Sequence, residues 1–414
     1  MHIVVIGAGI VGMATAYCLH QEGYKVTVID AGAGPGLLTS KANGAQLSYS
    51  FVAPLADPAV LPKIPSWIAD KDGPLGVKLQ ADAGFWRWVM AFLGACTKTR
   101  VQRTTAELLL LGRLSRQQMH MLVAHERLDF DFSSTGKLLV YQDDNAFQKA
   151  LKQVDYQERL GCEQQVLSTK QCLDLEPALS DVSHKVVGGI FTPSEDAGDC
   201  YKLCLELMRI LQARPDPVHF LFNTRVNKIK VSQGRVMGLE TGADTIQADG
   251  YVLANGIGAQ VLARQVGINP LIYPLKGYSL TYELTDDSFA PMVSLSDVHN
   301  KVVYARIGNR LRVAGMVEIG EHSHEINANR INSLKQQVAR YLHHLFPAGE
   351  PQAWAGMRPA RPDSKPVIGR TPYPNLWMNV GHGTLGFTLA AGSARLLTDL
   401  MVGRESPFAQ SFAL

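Results

Sequence analysis

The sequence predicts a discontinuous α/β domain with a doubly wound parallel sheet, into which an antiparallel α+β unit is inserted. Three observations carry this prediction. A strand, a glycine-rich turn, a helix, a second strand and an acid open the chain. Period-2 strands with glycine turns run from 220 to 316, and a glycine-rich strand-to-helix junction returns near the C-terminus.

The opening segment has the strongest physical content. Ile3–Ile6 is an apolar strand, Gly7-Ala8-Gly9-Ile10-Val11-Gly12 turns into a helix that ends at Gly23, and Lys25–Ile29 is a strand closed by Asp30 and Ala31. Gly7 permits the tight turn, Gly9 lets backbone approach a pyrophosphate, and Gly12 lets the helix pack closely on the strand. Amide hydrogens of the first helical turn, at Ile10 and Val11, then face the phosphates, and Asp30 accepts from a ribose hydroxyl. This is the Rossmann-like dinucleotide pattern.

Composition limits the alternatives. A chain of 414 residues suits two domains, and 46% hydrophobic with 19% charged residues describes a folded globular protein. A net charge of +3 without a basic run gives no reason to expect nucleic acid as a partner. The glycine motif begins too near the first residue to follow a secretory leader, so a cytoplasmic protein is expected. Six cysteines form no C-x-x-C pair, and Cys200 and Cys204 read as helical core thiols, so neither a metal site nor a disulfide framework is expected.

Between these landmarks, 31–65 is loop-like, 85–127 has long helical periodicity, 134–141 is a strand, and Asn145–Leu160 is a helix stopped by Gly161. Phe220–Phe222, Val226–Val231 and Val236–Glu240 suggest a meander feeding a buried strand that ends at Ala254-Asn255-Gly256. Strands follow at Tyr273–Tyr282, Lys301–Arg306 and Arg310–Gly315, then a helix over 327–346, strands at 366–369 and 376–380, and a helix from Leu385 to Met401. The expected division is 1–53, 145–262 and 352–414 for the cofactor domain, with 54–144 and 263–351 for the substrate domain.

Four further stretches carry a resemblance. They are Thr39-Ser40-Lys41-Ala42-Asn43-Gly44-Ala45-Gln46; Tyr273-Pro274-Leu275-Lys276-Gly277-Tyr278-Ser279; Gly356-Met357-Arg358-Pro359 with Pro366–Arg370; and Asn375–Thr388. Together they resemble the D-amino-acid oxidase-like family of FAD enzymes, and within it the bacterial FAD-dependent D-amino acid dehydrogenases of small-subunit type, across essentially the whole chain. Met357 stands where Leu is usual, and Gly44-Ala45 replaces Ala-Gly.

The resemblance implies non-covalent FAD and oxidation of a D-amino acid to an imino acid, which water converts to a 2-oxo acid and ammonia. Electrons then pass to a quinone or another non-oxygen acceptor. It implies that Arg358 binds the substrate carboxylate, a task suited to a planar guanidinium. Tyr278 is a candidate second contact, with ordinary packing as its alternative, and Tyr304 and Arg306 share one face of a neighbouring strand. Cofactor contacts are expected from Gly7, Gly9, Ile10, Val11, Gly12, Asp30 and Ala31, from the polar loop residues Thr39, Ser40, Asn43, Gly44 and Gln46, and from Val226, Ala254 and Gly256. Gly381, Gly383, Thr384, Leu385, Gly386, Phe387 and Thr388 are expected to direct helix amides at the flavin pyrimidine edge, with His382 a flavin contact or a loop-satisfying residue. Asp199 reads as an N-cap. The competing functions are an FAD oxidase of glycine, sarcosine or a D-imino acid, and a flavoprotein subunit without turnover.

One segment stays open between two readings. Phe85, Trp86, Trp88, Val89, Met90, Phe92 and Leu93 precede Lys98, Arg100 and Arg103. Packing on the substrate domain is the first reading, and peripheral attachment of 85–103 to the inner face of the cytoplasmic membrane is the second.

Overall fold

The computed structural model describes residues 1–69, 73–242 and 244–414. In chain order the frame runs β1 (His2–Ile6), α1 (Ile10–Gln21), β2 (Lys25–Ile29), α2 (Ala83–Ala95), α3 (Lys98–His125), β3 (Lys137–Tyr141), β4 (Gly188–Thr192), α4 (Cys200–Gln212), β5 (His219–Leu221) and β6 (Gly250–Leu253). It continues with β7 (Tyr273–Glu283), β8 (Ser294–Asp297), β9 (Val302–Ile307), β10 (Arg310–Ile319), α5 (Ala328–Tyr341), β11 (Gln352–Ala360), β12 (Val367–Arg370), β13 (Leu376–Val380) and α6 (Gly386–Met401).

Two large sheets organise the molecule. The first has the order β12-β13-β6-β1-β2-β5, parallel except for β12. Its strands are apolar on both sides because α1, α3, α4 and α6 pack on one face, through residues such as Met13, Leu111, Leu207 and Leu397, while Ala259 and Leu262 close the other. The second has the order β11-β7-β10-β9-β8-β3-β4, with short strands Gln165–Leu167 at one end and Leu75–Val77 beside β10. One of its faces is sealed by α5, which buries Ile331, Leu334 and Val338 against Leu280 and Val313. The other face looks toward the first sheet.

Residues 39–50 strap the two sheets together, crossing the second one strand by strand. Thr39 Oγ1 donates to Met357 O of β11 (2.7 Å), and Ala42 O accepts from Ser279 Oγ of β7 (2.6 Å). Asn43 O accepts from Arg312 Nη1 of β10 (2.9 Å), and Gln46 Nε2 donates to Tyr304 O of β9 (3.0 Å) and Leu295 O of β8 (2.9 Å). Ser48 Oγ finally accepts from Lys137 Nζ of β3 (2.8 Å).

Several elements differ from the sequence reading, each for a local reason. The helical run over 85–127 is two helices, because Asp82 and Thr97 each cap a new N-terminus. His219–Leu221 leaves the expected meander and pairs parallel with β2, and Val226 lies outside the strand that begins at Lys228. Residues 352–360 form an unforeseen strand, whose Pro359 is tolerated because β11 is a sheet edge. Strands 165–167, 188–192 and 352–360 belong to the second sheet, and 98–125 packs with α6 beside the first. The expected boundaries near 53, 144, 262 and 351 therefore divide the sequence without following the sheets. All six cysteines are free and buried.

The α3–α6 contact is close enough to test. Ser115 Oγ donates to Thr388 O (2.5 Å) and accepts from Gly392 N (3.0 Å), and a Cβ on Gly392 would lie 2.6 Å from Ser115 N. Alanine's better helix propensity, about 1 kcal/mol, does not offset that backbone clash. Gly392→Ala is expected to destabilise the protein by about 1–3 kcal/mol in urea unfolding, and wild-type stability would refute this packing.

Candidate active site

The glycine turn closes as its spacing predicts. Gly7 has φ +108°, and a Cβ there would lie 2.6 Å from Asn255 Cα; a Cβ on Gly12 would lie 1.8 Å from Gly7 O. Both positions therefore admit only glycine. Gly9 is open, its nearest neighbour being Ser40 Oγ at 3.5 Å, and Gly256, with φ +57°, has nothing within 4 Å. Asp30 accepts from Ala8 N and Gly32 N (both 2.7 Å), which holds its carboxylate beside the turn with Ala31 next to it. Ile10 N donates to Ser40 Oγ (3.0 Å), joining the strap to the helix start that Val11 continues. Ala254 packs on Gly12, whereas Val226 lies against the far core with Ile229.

A second helix start meets the strap from the opposite side. Gly381 (φ +83°), His382, Gly383 (φ +55°), Thr384 and Leu385 lead into α6 at Gly386, Phe387 is buried, and Thr388 Oγ1 accepts from Ser48 N (3.0 Å). Neither α1 nor α6 has a side-chain cap, whereas α2, α3, α4 and α5 are capped by Asp82, Thr97, Asp199 and Asn327. The α1 start instead has Ile10 N on Ser40 Oγ, and both helix starts keep the positive end of their dipole. Gly44 is wedged here, its position leaving 3.3 Å from a Cβ to Val303, and Asn43 Oδ1 accepts from Ala45 N.

Arg358 projects from β11 on the strap-facing side. The register pairs it with Leu275 and pairs Gly356 with Gly277, so the guanidinium lies flat over Gly277, where a Cβ would sit 2.4 Å from Cζ. Its Nη1 is buried without a partner, and among the described residues no carboxylate or carbonyl accepts from it. Desolvation alone pushes its pKa down to about 10, which leaves it charged at neutral pH. A small cavity of about 20 Å³ that includes Leu275, the register partner of Arg358, is lined also by Leu55, Phe92, Ala360, Arg361, Ser364, His382, Gly383 and Thr384.

Tyr278 and Tyr304 do not join Arg358. Residues alternate across a sheet, and both tyrosines fall on the α5 side. The Tyr278 hydroxyl donates to Glu318, which pairs with Arg330, and Tyr304 stacks on Tyr341 at 5.2 Å. Arg306 shares that side and contacts Met292. Asp199 caps α4 and pairs with Arg310.

Sequence reasoning missed two buried cations on the strap side. Arg312 holds Asn43 O, its Nε has no partner, and desolvation lowers its pKa to about 10. Lys137 holds Ser48 beside the Glu195 carboxylate. The alternation Arg310-Leu311-Arg312 was a usable signal for the first. A lysine opening an apolar strand gave none for the second.

Residues 2–400 match the family described as FAD dependent oxidoreductase. The chain belongs to this family. "D-amino acid dehydrogenase 2" of Ralstonia nicotianae is 45% identical, with 98% of this chain and 97% of the relative covered. "D-amino acid dehydrogenase 2" of Pseudomonas aeruginosa is 42% identical (98% and 95%), and "D-amino acid dehydrogenase" of Dechloromonas aromatica 38% (99% and 99%). Glycine oxidase from Geobacillus kaustophilus shares the fold of this FAD-dependent oxidoreductase at TM-score 0.78 and 19% identity (100% and 97% covered), as does L-proline dehydrogenase from P. horikoshii at 0.78 and 16% (100% and 96%).

His382 provides a pH test of the α6 entry. It is buried with Nε2 3.0 Å from Ser393 Oγ, and desolvation pushes its pKa down to about 3, so it is neutral in the folded protein. An unfolded histidine protonates near 6.5, so between pH 6.5 and about 3 the unfolded state binds the extra proton and stability falls as pH drops. His382→Asn is expected to lose stability less steeply over that window in urea titrations, and an unchanged slope would refute the assignment.

Proposed function

We propose that this flavoprotein oxidises D-α-amino acids to 2-oxo acids and ammonia, with Arg358 as the carboxylate anchor. The single supporting observation is a charged guanidinium laid over Gly277 with a buried, unpaired Nη1. Leaving such a group without an anion is costly, and a bidentate carboxylate matches its planar donors. The relatives named D-amino acid dehydrogenase support the substrate class and its handedness.

The surroundings fit FAD. Gly9 and Gly256 leave backbone open to a ligand, Gly7 and Gly12 set the turn, and the Val11 amide at the α1 start, with Ser40 and Thr39 beside it, suits a pyrophosphate. Asp30 and Ala31 suit a ribose, and the uncapped α6 start from Gly383 to Thr388 suits the electron-rich pyrimidine edge, with Asn43, Gly44 and Gln46 on the strap. Bound FAD supplies the acceptor for a hydride from the substrate Cα. The protein's part is placement, through Arg358 at the carboxylate and Leu55, Phe92 and Leu275 excluding water beside it. Val226, Tyr278 and Tyr304 have no part in this arrangement.

Arg358→Leu is expected to weaken D-amino acid binding about 100-fold or more, the loss of a buried charge-assisted pair, while leaving FAD bound. An anaerobic titration with D- and L-amino acids, read by flavin bleaching, checks this. Unchanged affinity in the variant, or a protein that refuses FAD, would refute the reading.

Electrons leave to a quinone or other non-oxygen acceptor in this reading, as the relatives' designation as dehydrogenases supports. Among the described residues no helix is long and apolar enough to cross a membrane. α2 instead serves two surfaces. Phe85, Trp88 and Phe92 pack inward, Trp88 Nε1 donating to Ala360 O, while Trp86, Met90 and Leu93 form an exposed stripe followed by exposed Lys98, Arg100 and Arg103. That stripe suits shallow docking on an anionic bilayer. Replacing Trp86 and Met90 by serine is expected to abolish sedimentation with anionic liposomes while leaving turnover with a soluble acceptor intact. Undiminished sedimentation would exclude docking through this face.

A further inference from the structure

Gly277 and Gly356 pair across β7 and β11 and leave a bare patch on the strap-facing side of the sheet. Two planar groups cover it. Arg358 lies over Gly277, where a Cβ would sit 2.4 Å from its Cζ. Trp354, two residues before Gly356 on β11 and so on the same face, lies over Gly356: a Cβ there would sit 2.0 Å from Trp354 Cη2 and 2.2 Å from Cζ2. Ala353 and Ala355, on either side of Trp354, pack with the cluster under α5, as the alternation requires. Cβ positions of a cross-strand pair lie about 5 Å apart, so the indole edge and Arg358 Cζ are within about 10 Å of each other.

The core does not use this indole. Among the described residues Trp67, Trp88 and Trp377 join apolar clusters, whereas Trp354 joins none, stacks on no ring and has no hydrogen-bond partner for Nε1. It is half-buried, and any side chain at Gly356 would displace it. A large ring held in place without a packing partner keeps apolar surface in water that a ligand side chain would cover. The two directions open to a substrate held by Arg358 are unequal. Toward Leu275 lies the cavity of about 20 Å³, room for roughly one water. A side chain larger than methyl therefore turns toward Trp354. The residues beside the indole on this face, Gln352, Gly356, Gly277, Ser279 and Thr281, carry no charge, so a charged side chain finds no counter-ion there.

We propose that Trp354 is the platform for the substrate side chain and makes the site select D-amino acids with bulky apolar, above all aromatic, side chains. This role rests on the oxidative-deamination reading with Arg358 as carboxylate anchor. An indole stacks a phenyl ring offset or edge to face, and an aliphatic chain lies along it with less contact. With its carboxylate on Arg358 and its side chain on Trp354, the substrate is held at two ends, and its Cα loses the freedom to turn about the carboxylate. The paired glycines are what allow this, because any side chain at either position would lift its planar group off the sheet.

The test uses the FAD-loaded protein in two measurements. Phenylacetate and acetate, which carry a carboxylate but no oxidisable amine, are titrated with binding read from the flavin spectrum. D-phenylalanine, D-leucine, D-alanine, D-lysine and D-glutamate are then mixed anaerobically, and dissociation constants are taken from the concentration dependence of bleaching. The wild type is expected to bind phenylacetate more tightly than acetate, and D-phenylalanine more tightly than D-alanine or either charged amino acid. Trp354→Ala is expected to shrink both preferences about tenfold or more, and Trp354→Phe to restore most of each. A merely structural role would weaken every ligand alike and leave the ratios unmoved. Unmoved ratios, a wild type that prefers the charged amino acids, or a variant that loses FAD affinity while its ratios stay would each overturn the assignment. Should Trp354→Ala not fold, Trp354→Leu, which keeps apolar bulk without the flat ring, decides through the ratio of D-phenylalanine to D-leucine. A wild type that no D-amino acid bleaches removes the functional reading and this role with it, whereas bleaching with ratios that the Trp354 variants leave unaltered removes the role only.

Discussion

Residues 39–50 bridge the two sheets, and the residues proposed to hold cofactor and substrate lie along them. This strap has almost no regular structure, only Gln46 and Leu47 pairing with Asp196–Ala197, yet it is tied to β11, β7, β10, β9, β8 and β3 in turn. Each bond contributes roughly 0.5–1.5 kcal/mol, too little to fix a loop singly. In series they leave the strap no independent motion, and Ser40 and Thr388 carry that order to the starts of α1 and α6. A segment rich in Gly, Ala and Ser suits this role, because small side chains let its backbone lie close to the sheet, as Gly44 does against Val303.

Three cations lie along the strap, Lys137 and Arg312 buried and Arg358 half-buried with its Nη1 enclosed, and their partners differ. Arg312 is held by Asn43 O and serves the strap itself. Lys137 is held by Ser48, with the Glu195 carboxyl acting on it through space. Of the three, Arg358 alone lacks a hydrogen-bond partner among the described residues, and desolvation lowers its pKa. A guanidinium whose enclosed nitrogen lacks a partner is the one of the three that an external anion would complete.

What could be read from residues alone follows the range of the interaction. β1, α1, β2, Gly7, Gly12 and Asp30 were legible because turn, glycine contact and acid lie within thirty residues and depend on backbone sterics. The α6 entry was legible for the same reason. β11 was not, since Gly356 and Pro359 look like loop punctuation, and their tolerance depends on an edge position that only the completed sheet defines. Tyr278 and Arg358 were placed together because both are near the same motif residues. The register that sets Leu275 against Arg358 puts Tyr278 on the opposite face, and a one-residue change in pairing would have reversed this. Lys137 and Glu195 lie 58 positions apart, and no local pattern links them.

The placement of these groups along the sheet has its own logic. Five strand spacings separate β11 from β3, about 24 Å in all, so the Lys137–Glu195 pair stands far from Arg358. A carboxylate within about 4 Å of the guanidinium would bind it by roughly 4 kcal/mol at an effective dielectric near 20, competing directly with a substrate carboxylate. Keeping internal carboxylates away from Arg358 leaves its guanidinium free for the external anion proposed above. The strap permits that separation, because it ties both ends to one rigid surface while leaving the acid outside Arg358's reach.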